Sequence, residues 1–151
     1  MSLNQPIIDS VTTNLSMFGF APTFVKDGVE VGNEISLGDL HIIFGLTDGL
    51  HGSIVLGFKM PTALQIVSFM MGGMPIESMD EMSQSAISEL GNMIVGTSIT
   101  NARSSVLINF SPPTLIVDGH IFIPAKECKI SRLEFELNGE PFYVAYYTEE
   151  R

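Results

Sequence analysis

The feature that most constrains the fold is a long stretch without proline between two blocks of strand-like sequence. After Pro75 the next proline is Pro112. Near the start of this stretch, Ser78 and Glu81 have the spacing of a capping box, in which two side chains satisfy free backbone N–H groups at a helix start. The stretch therefore predicts a helix of up to about thirty residues, where the average helix has about 11–12.

Two shorter helices are predicted before the long one. Asn4 and Pro6 stand where a cap residue and a first-turn proline belong, and Gly19 follows the last apolar residue. The apolar residues at helical spacing between them are Ile7, Ile8, Val11, Leu15 and Phe18. A second apolar helix is predicted from Pro61 to about Met71, closed by Gly72-Gly73.

The remaining segments have the composition of β-strands. Residues 23–59 contain short β-rich runs with turns predicted at Asp27-Gly28 and Asp48-Gly49, because these dipeptides accept the positive φ of tight hairpins. After the long helix, Asp118-Gly119 and Asn138-Gly139 predict two more hairpins, and a change of apolar phase predicts a bulge near Ser131. The later strands are predicted at Thr114–Val117, Ile121–Ile123, Cys128–Leu137 and Phe142–Tyr147. The whole chain, residues 1–151, is therefore predicted to be a single α+β domain. Its antiparallel sheet packs with an N-terminal helix, a second short helix and a long central helix.

Composition excludes several classes of partner and compartment. With Lys+Arg 7 against Asp+Glu 17, the formal charge is −10, and binding to nucleic acid or an anionic bilayer needs clustered basic residues. The longest uncharged stretch, residues 60–76, is broken by proline and glycine and too short to span a bilayer. Cys128 is the only cysteine and Lys26 the first basic residue, so neither an intramolecular disulfide nor a secretory signal is expected. These features predict a cytoplasmic protein.

The histidines and the cysteine favour structural roles. His41, His51 and His120 lack the close helical or Cys/His spacing of a metal site. Cys128 lies in an alternating strand, where a buried small hydrophobe is expected. The sequence therefore predicts no metal site.

Candidate chemistry is concentrated on one side of the predicted long helix. At 100° per residue, Glu89 and Asn92 lie within about 40° of Ser85, so these polar side chains share one stripe. Gly96 lies on the same stripe one turn beyond Asn92, and a glycine there leaves room for the surface of a partner. The opposite side carries residues suited to the core, namely Ile87, Leu90 and Ile94. We expect the stripe to face solvent. Exposed polar residues alone are more typical of a solvated helix face without function, so the context of the stripe must decide.

The context of this stripe resembles one protein family. The spacing Ser85-x-x-x-Glu89-x-x-Asn92 on a long helix, preceded by Leu50–Leu56 and followed by proline and hairpins, resembles the CheC/CheX chemotaxis phosphatases. The resemblance extends from about residue 39 to the carboxyl terminus, and a single Glu-x-x-Asn helix favours the CheX side. The family pattern places a proline where Leu115 stands, whereas this chain has Pro112-Pro113. The displaced prolines imply either a shifted register or a shorter segment after the long helix.

The resemblance implies removal of the phosphoryl group from the aspartyl phosphate of a CheY-like response regulator in chemotaxis. Asn92 would orient the attacking water, and Glu89 would pair with a lysine of the regulator. A carboxamide is a poor general base, so its contribution is positioning, the main resource in phosphoryl transfer. Mg²⁺ would be supplied by the regulator, with no cofactor of the protein's own. Ser85 and Gly96 are weaker candidates for partner contact, and a homodimer is implied.

Two other functions remain open from the sequence. One is a non-catalytic binding module of the CheC/flagellar-switch kind that docks a receiver domain. The other is a scaffold or sensor domain whose helix merely covers the sheet. The presence of Asn92 beside Glu89 favours the enzyme over both.

Overall fold

Three helices pack on one face of an antiparallel six-stranded sheet, which confirms the predicted α+β class. The computed structural model describes residues 2–48, 50–102, 108–117, 119–123 and 128–149. The helices are α1 (Asn4–Ser16), α2 (Met60–Met70) and α3 (Glu81–Asn101). The strands are β1 (Thr23–Gly32), β2 (Glu34–Ile35), β3 (Leu40–Leu46), β4 (His51–Phe58), β5 (Thr114–Val117), β6 (Ile121–Phe122), β7 (Cys128–Leu137) and β8 (Glu140–Glu149). The sheet order is β1-β7-β8-β4-β3-β5, and β2 pairs with β6 in a separate two-stranded unit.

Both faces of the main sheet are covered, and this explains the change of apolar phase in β7. Leu133 and Phe135 point into the main core beneath the helices, whereas Ile130 joins a second core on the reverse face, together with residues of β2 and β6. The bulge predicted near Ser131 is therefore wrong. The register shift lies instead in β1, between Phe24 and Lys26.

Two of the four predicted hairpin turns join paired strands. Asn138 and Gly139 have φ of 52° and 84° between β7 and β8, and Asp48-Gly49 falls between the paired strands β3 and β4, although residue 49 lies outside the described residues. The turn at Asp27-Gly28 is wrong, because both residues lie within β1 and pair with β7. The hairpin at Asp118-Gly119 is also wrong, because β5 pairs with β3 while β6 pairs with β2. Residue 118 itself lies outside the described part of the chain.

The helix starts differ from those predicted. Asn4 does not cap α1 but is its first residue, and Tyr146 Oη donates a hydrogen bond to its side-chain oxygen. The cap of α3 is Asp80, whose carboxylate accepts a hydrogen bond from the N–H of Ser83 (2.8 Å), so the capping box at Ser78 is wrong. This bond holds the pKa of Asp80 below its ordinary value.

Glycines with positive φ follow the ends of α1 and α2. Gly19 (φ 86°) follows α1, and Gly72 (φ 74°) and Gly73 (φ 90°) follow α2, as predicted. α3 runs for 21 residues and ends at Asn101, well before Pro112. The absence of proline therefore set only an upper limit on its length.

α3 lies unusually close to β3, and Gly91 permits this approach. A Cβ built on Gly91 would lie 3.1 and 3.2 Å from ring atoms of Phe44 and 3.3 Å from Cγ2 of Ile42. Both neighbours belong to β3 and are fully buried. The buried side of α3 is therefore fixed against the sheet, and its opposite side is turned to solvent.

We predict opposite effects from the same substitution at the two glycines of α3. Ala is the better helix former at either position, but Gly91→Ala forces a methyl group against the fully buried ring of Phe44, which must move by a few tenths of an ångström to admit it. A Cβ on Gly96 would meet only Cζ of Phe110, at an ordinary 3.6 Å. We expect the free energy of unfolding of Gly96→Ala to exceed that of Gly91→Ala by about 1 to 3 kcal/mol, the usual cost of overpacking. Urea unfolding of both variants measures the difference, and equal stabilities would contradict the packing argument.

His41 has a structural role in β3. Its Nε2 accepts a hydrogen bond from the N–H of Leu37 (2.9 Å), and the side chain is fully buried. Burial lowers the pKa of His41 below 6.5, the nearby His120 lowers it further, and Asp39 acts in the opposite direction. The folded protein therefore favours the neutral imidazole.

The protein is expected to lose stability as the pH falls below 6.5. In that range the unfolded chain protonates His41 more readily than the folded chain, so the free energy of unfolding decreases by up to about 1.4 kcal/mol per pH unit from this group. His41→Gln keeps a hydrogen-bond acceptor but cannot titrate. Urea unfolding of both proteins between about pH 7.5 and pH 5.5 should show a steeper decrease for the wild type. Parallel curves would contradict the assignment.

Candidate functional site

The polar stripe of α3 faces solvent, as its periodicity predicted. Ser85 and Glu89 are exposed and Asn92 is half-buried, while the residues predicted for the opposite side, Ile87, Leu90 and Ile94, are buried in the main core. The helix is unbroken between Glu89 and Asn92. A carboxylate and a carboxamide therefore lie one turn apart on the same rigid, outward side.

Two open grooves flank this stripe. The first groove has Ser85, Ser88, Glu89 and Asn92 on its α3 side and residues 110–113 on the other side. The second groove lies further along α3 and is lined by α1, α3 and part of the segment between α3 and β5. Its residues are Asn14, Asn92, Met93, Gly96, Thr97, Ile99, Thr100, Ile108 and Phe110. Asn92 and Phe110 line both grooves. All four predicted site residues thus line one or both of these grooves.

The far wall of the first groove is held rigidly by β3. Gly45 and Ser111 exchange two hydrogen bonds, from Gly45 N–H to Ser111 Oγ and from Ser111 N–H to the Gly45 carbonyl, each 2.8 Å. Phe110 forms a β-bridge with Leu46 at the end of the same strand. The wall and α3 are therefore both positioned by β3.

The displaced prolines lie at the site. Pro112 and Pro113 line the first groove opposite Glu89 and Asn92. Leu115 stands where the family pattern has proline. It lies in β5, pairs with Ile42 of β3 and packs against the main core. The departure from the pattern thus leaves proline beside the polar stripe.

The electrostatics of the site favour contact with another molecule's charged groups. Among the described residues that line either groove, Glu89 is the one with a formal charge. Neither the exposed Glu89 nor the half-buried Asn92 has a hydrogen-bond partner among the described residues, so neither polar group is engaged within that part of the chain. Shallow, open grooves enclose a small ligand poorly. The geometry suits a macromolecular partner that brings a cationic group to Glu89.

The other candidate groups do not join this site. Cys128 is half-buried against the reverse-face core, where burial raises the pKa of its thiol. His120 pairs with Glu34 (Nδ1 to Oε1, 2.5 Å). In the described ranges no group of three or more His, Cys, Asp or Glu side chains is arranged to hold a metal ion.

Comparison with known proteins identifies the family of this chain. Residues 41–136 match the family model described as chemotaxis phosphatase CheX. The chain belongs to the CheX family. This range contains the whole of α3 and the far wall of the first groove, whereas α1 lies outside it.

Individual relatives agree with this family. Over 75 residues the chain is 40% identical to the CheY-P phosphatase CheX of Thermotoga maritima, an alignment that covers 49% of this chain and 48% of the relative. The structure of CheX from Desulfovibrio desulfuricans matches with a TM-score of 0.86 at 24% identity, covering 99% of this chain and all of the other. The structure of a CheX–CheY–BeF3–Mg²⁺ complex from Borrelia burgdorferi matches with a TM-score of 0.71 at 21% identity, covering 99% of both chains.

The CheX fold also brings in residues that the sequence motif missed. Ser88, Phe110 and Ser111 line the grooves although none belongs to the Ser-x-x-x-Glu-x-x-Asn spacing. Phe110 and Ser111 directly precede the two prolines, which was the one available signal for them.

Among the described residues, no helix has the length and apolar character needed to cross a membrane.

Proposed function

We propose that this protein is a phosphatase that removes the phosphoryl group from the aspartyl phosphate of a CheY-like receiver domain. The observation that carries the proposal is the placement of Glu89 and Asn92 on the solvent-facing side of α3, above the first groove. Support comes from the family and from the T. maritima relative, although the alignment spans about half of that protein. The B. burgdorferi complex supports a receiver as partner.

The proposed reaction is an in-line displacement at phosphorus. A water oxygen forms the new P–O bond while the bond between phosphorus and the aspartyl oxygen breaks. The electron pair remains on the aspartate carboxylate, and the protons of the water leave with inorganic phosphate or to solvent. The side chain of Asn92 holds the water by hydrogen bonds, and since an amide is a poor base it acts by positioning.

Glu89 supplies the anchor beside this water. Its exposed carboxylate, one turn before Asn92, pairs with a lysine of the receiver in a charge-assisted hydrogen bond. The receiver also supplies Mg²⁺, so the protein itself needs no cofactor. We place this reaction in the cytoplasm, in agreement with the single cysteine.

Ser85 and Gly96 extend the proposed docking surface in both directions along α3. Ser85 is exposed at the first groove, where its hydroxyl supplies a weak polar contact. Gly96 lines the second groove, where the absence of a side chain lets the receiver approach the helix backbone. Gly96→Ala is then expected to weaken receiver binding while keeping the fold.

The proposal predicts different losses from the two polar residues of α3. With a receiver loaded by acetyl phosphate, Asn92→Ala should reduce the acceleration of phosphate release by about 100-fold or more, because the water loses its orientation. Its affinity for the receiver should be largely kept. Glu89→Ala should lower both the rate and the affinity. Loss of aspartyl phosphate measures the rate, and titration with receiver carrying BeF3 as a phosphoryl mimic measures the affinity.

Both variants should remain folded, because neither side chain is buried in the core or bonded to another described residue. Their free energies of unfolding should lie within about 0.5 kcal/mol of wild type, whereas Leu90→Ala on the buried side should cost about 2 to 5 kcal/mol. If the receiver binds but the loss of its aspartyl phosphate is not accelerated, the protein is a non-catalytic docking module and not a phosphatase. Absence of binding would favour the scaffold or sensor domain.

We also propose that the protein forms a homodimer through the edge strand β1. This strand is paired with β7 on one side, and nearly its whole length is exposed, with Val29 65% and Val31 66% accessible. A long exposed strand edge is a ready template for another strand. We propose that a second copy of this chain pairs with the outer edge of β1, in keeping with the homodimer that the family resemblance implies.

Charges introduced on β1 should separate this dimer. Val29→Glu combined with Val31→Glu places two carboxylates of each copy on the strand that forms the proposed interface, where like charges repel. Sedimentation velocity should show the wild type as a dimer and the double variant as a monomer. Met82→Glu, also at an exposed apolar residue but on α3, is the matched control and should remain dimeric. A monomeric wild type would refute the assignment.

A further inference from the structure

Phe110 is the aromatic residue that shares both grooves with Asn92. It does not belong to the polar motif, and it comes from the segment after α3 rather than from the helix. Its side chain is half-buried, with part of the ring facing the grooves. Its position raises the question of what holds the carboxamide of Asn92 in a productive orientation.

The backbone of Phe110 has little freedom. Its β-bridge to Leu46 and the two hydrogen bonds between the neighbouring Ser111 and Gly45 fix the segment to β3 on consecutive residues. β3 is also the strand against which α3 packs at Gly91. The distance between Phe110 and the helix is therefore set by one rigid element.

The ring of Phe110 is fixed as well. It meets the buried ring of Phe44 edge to face, with centroids 6.1 Å apart and an interplanar angle of 70°. Its Cζ lies 3.6 Å from the position that a Cβ of Gly96 would occupy. The ring is thus held between the core and the backbone of α3, one turn beyond Asn92.

The carboxamide of Asn92, in contrast, has no hydrogen-bond partner among the described residues. The terminal torsion of an asparagine is broad, so an unrestrained amide samples many orientations. We infer that Phe110 is a positioning residue for the proposed phosphatase reaction: its ring limits the orientations of the Asn92 carboxamide to those directed at the bound receiver. This inference rests on the proposed function.

Phe110→Leu tests the inference, because it removes the flat ring but keeps an apolar side chain on Phe44. Phe69→Leu is the matched control: Phe69 is half-exposed, meets Phe20 edge to face at 4.9 Å, and lines neither groove. We expect Phe110→Leu to lower kcat for receiver dephosphorylation by about tenfold or more, with a smaller change in KM. Phe69→Leu should leave both unchanged.

A second measurement follows the amide itself. In ¹⁵N-labelled protein without receiver, the side-chain NH₂ signal of Asn92, assigned by its loss in Asn92→Ala, should become more mobile in Phe110→Leu and not in Phe69→Leu. An unchanged kcat in Phe110→Leu, or an Asn92 side chain as ordered as in wild type, would overturn the inference. If the wild type does not dephosphorylate receivers, the proposed function fails. The mobility of Asn92 still decides whether the ring restrains it.

Discussion

The close contact between α3 and β3 at Gly91 sets the geometry of the site. Because Gly91 has no side chain, the ring of Phe44 lies where a Cβ would otherwise be, and the helix settles onto the sheet. α1 holds α3 from another side, where the buried Ser10 hydroxyl donates to the Ile94 carbonyl (2.6 Å). A helix fixed on two sides presents its remaining side with little freedom. That rigidity makes positioning a workable source of catalysis.

The site is a surface rather than an enclosed cavity, so under the proposed function the chemistry is divided between two proteins. The described lining of the grooves offers a carboxylate, two amides, hydroxyls and apolar groups, none of which neutralises a phosphoryl group. With a net charge of −10, the protein also lacks long-range attraction for an anionic partner. Under the proposed function, the receiver carries the metal and the lysine, and this chain adds one oriented water. Docking then depends on local fit along α3.

The sheet keeps the two proposed contacts apart. In the strand order, β1 lies at one edge, whereas β3 and β5, next to α3, lie at the other end. The reverse face between them is occupied by the β2–β6 unit over a second apolar core. A second copy on β1 and a receiver on α3 would therefore use different ends of the same sheet. Dimer formation need not compete with catalysis.

Local patterns in the sequence determined which segments become helices and which face of α3 is polar. Spacing places Ser85, Glu89 and Asn92 on one stripe, and glycines end α1 and α2, because these effects act within a few residues. Such local patterns cannot predict which strands pair when they are far apart in the sequence. Asp27-Gly28 has the composition of a turn but lies within a strand, because pairing with β7 satisfies its backbone. Ile130 faces a second core on the reverse face of the sheet, and the resulting change of apolar phase was interpreted from the sequence as a bulge.

The site divides in the same way. The amino-acid sequence by itself determined the carboxylate and the amide, one helical turn apart on the side of α3 away from its apolar residues. Only the tertiary structure decided what lies opposite them: Phe110 and the two prolines reach the stripe because Phe110 and Ser111 pair with the end of β3, more than sixty residues earlier in the chain. Contacts at such separation depend on how strands pair and how closely a helix packs, and no local periodicity encodes them.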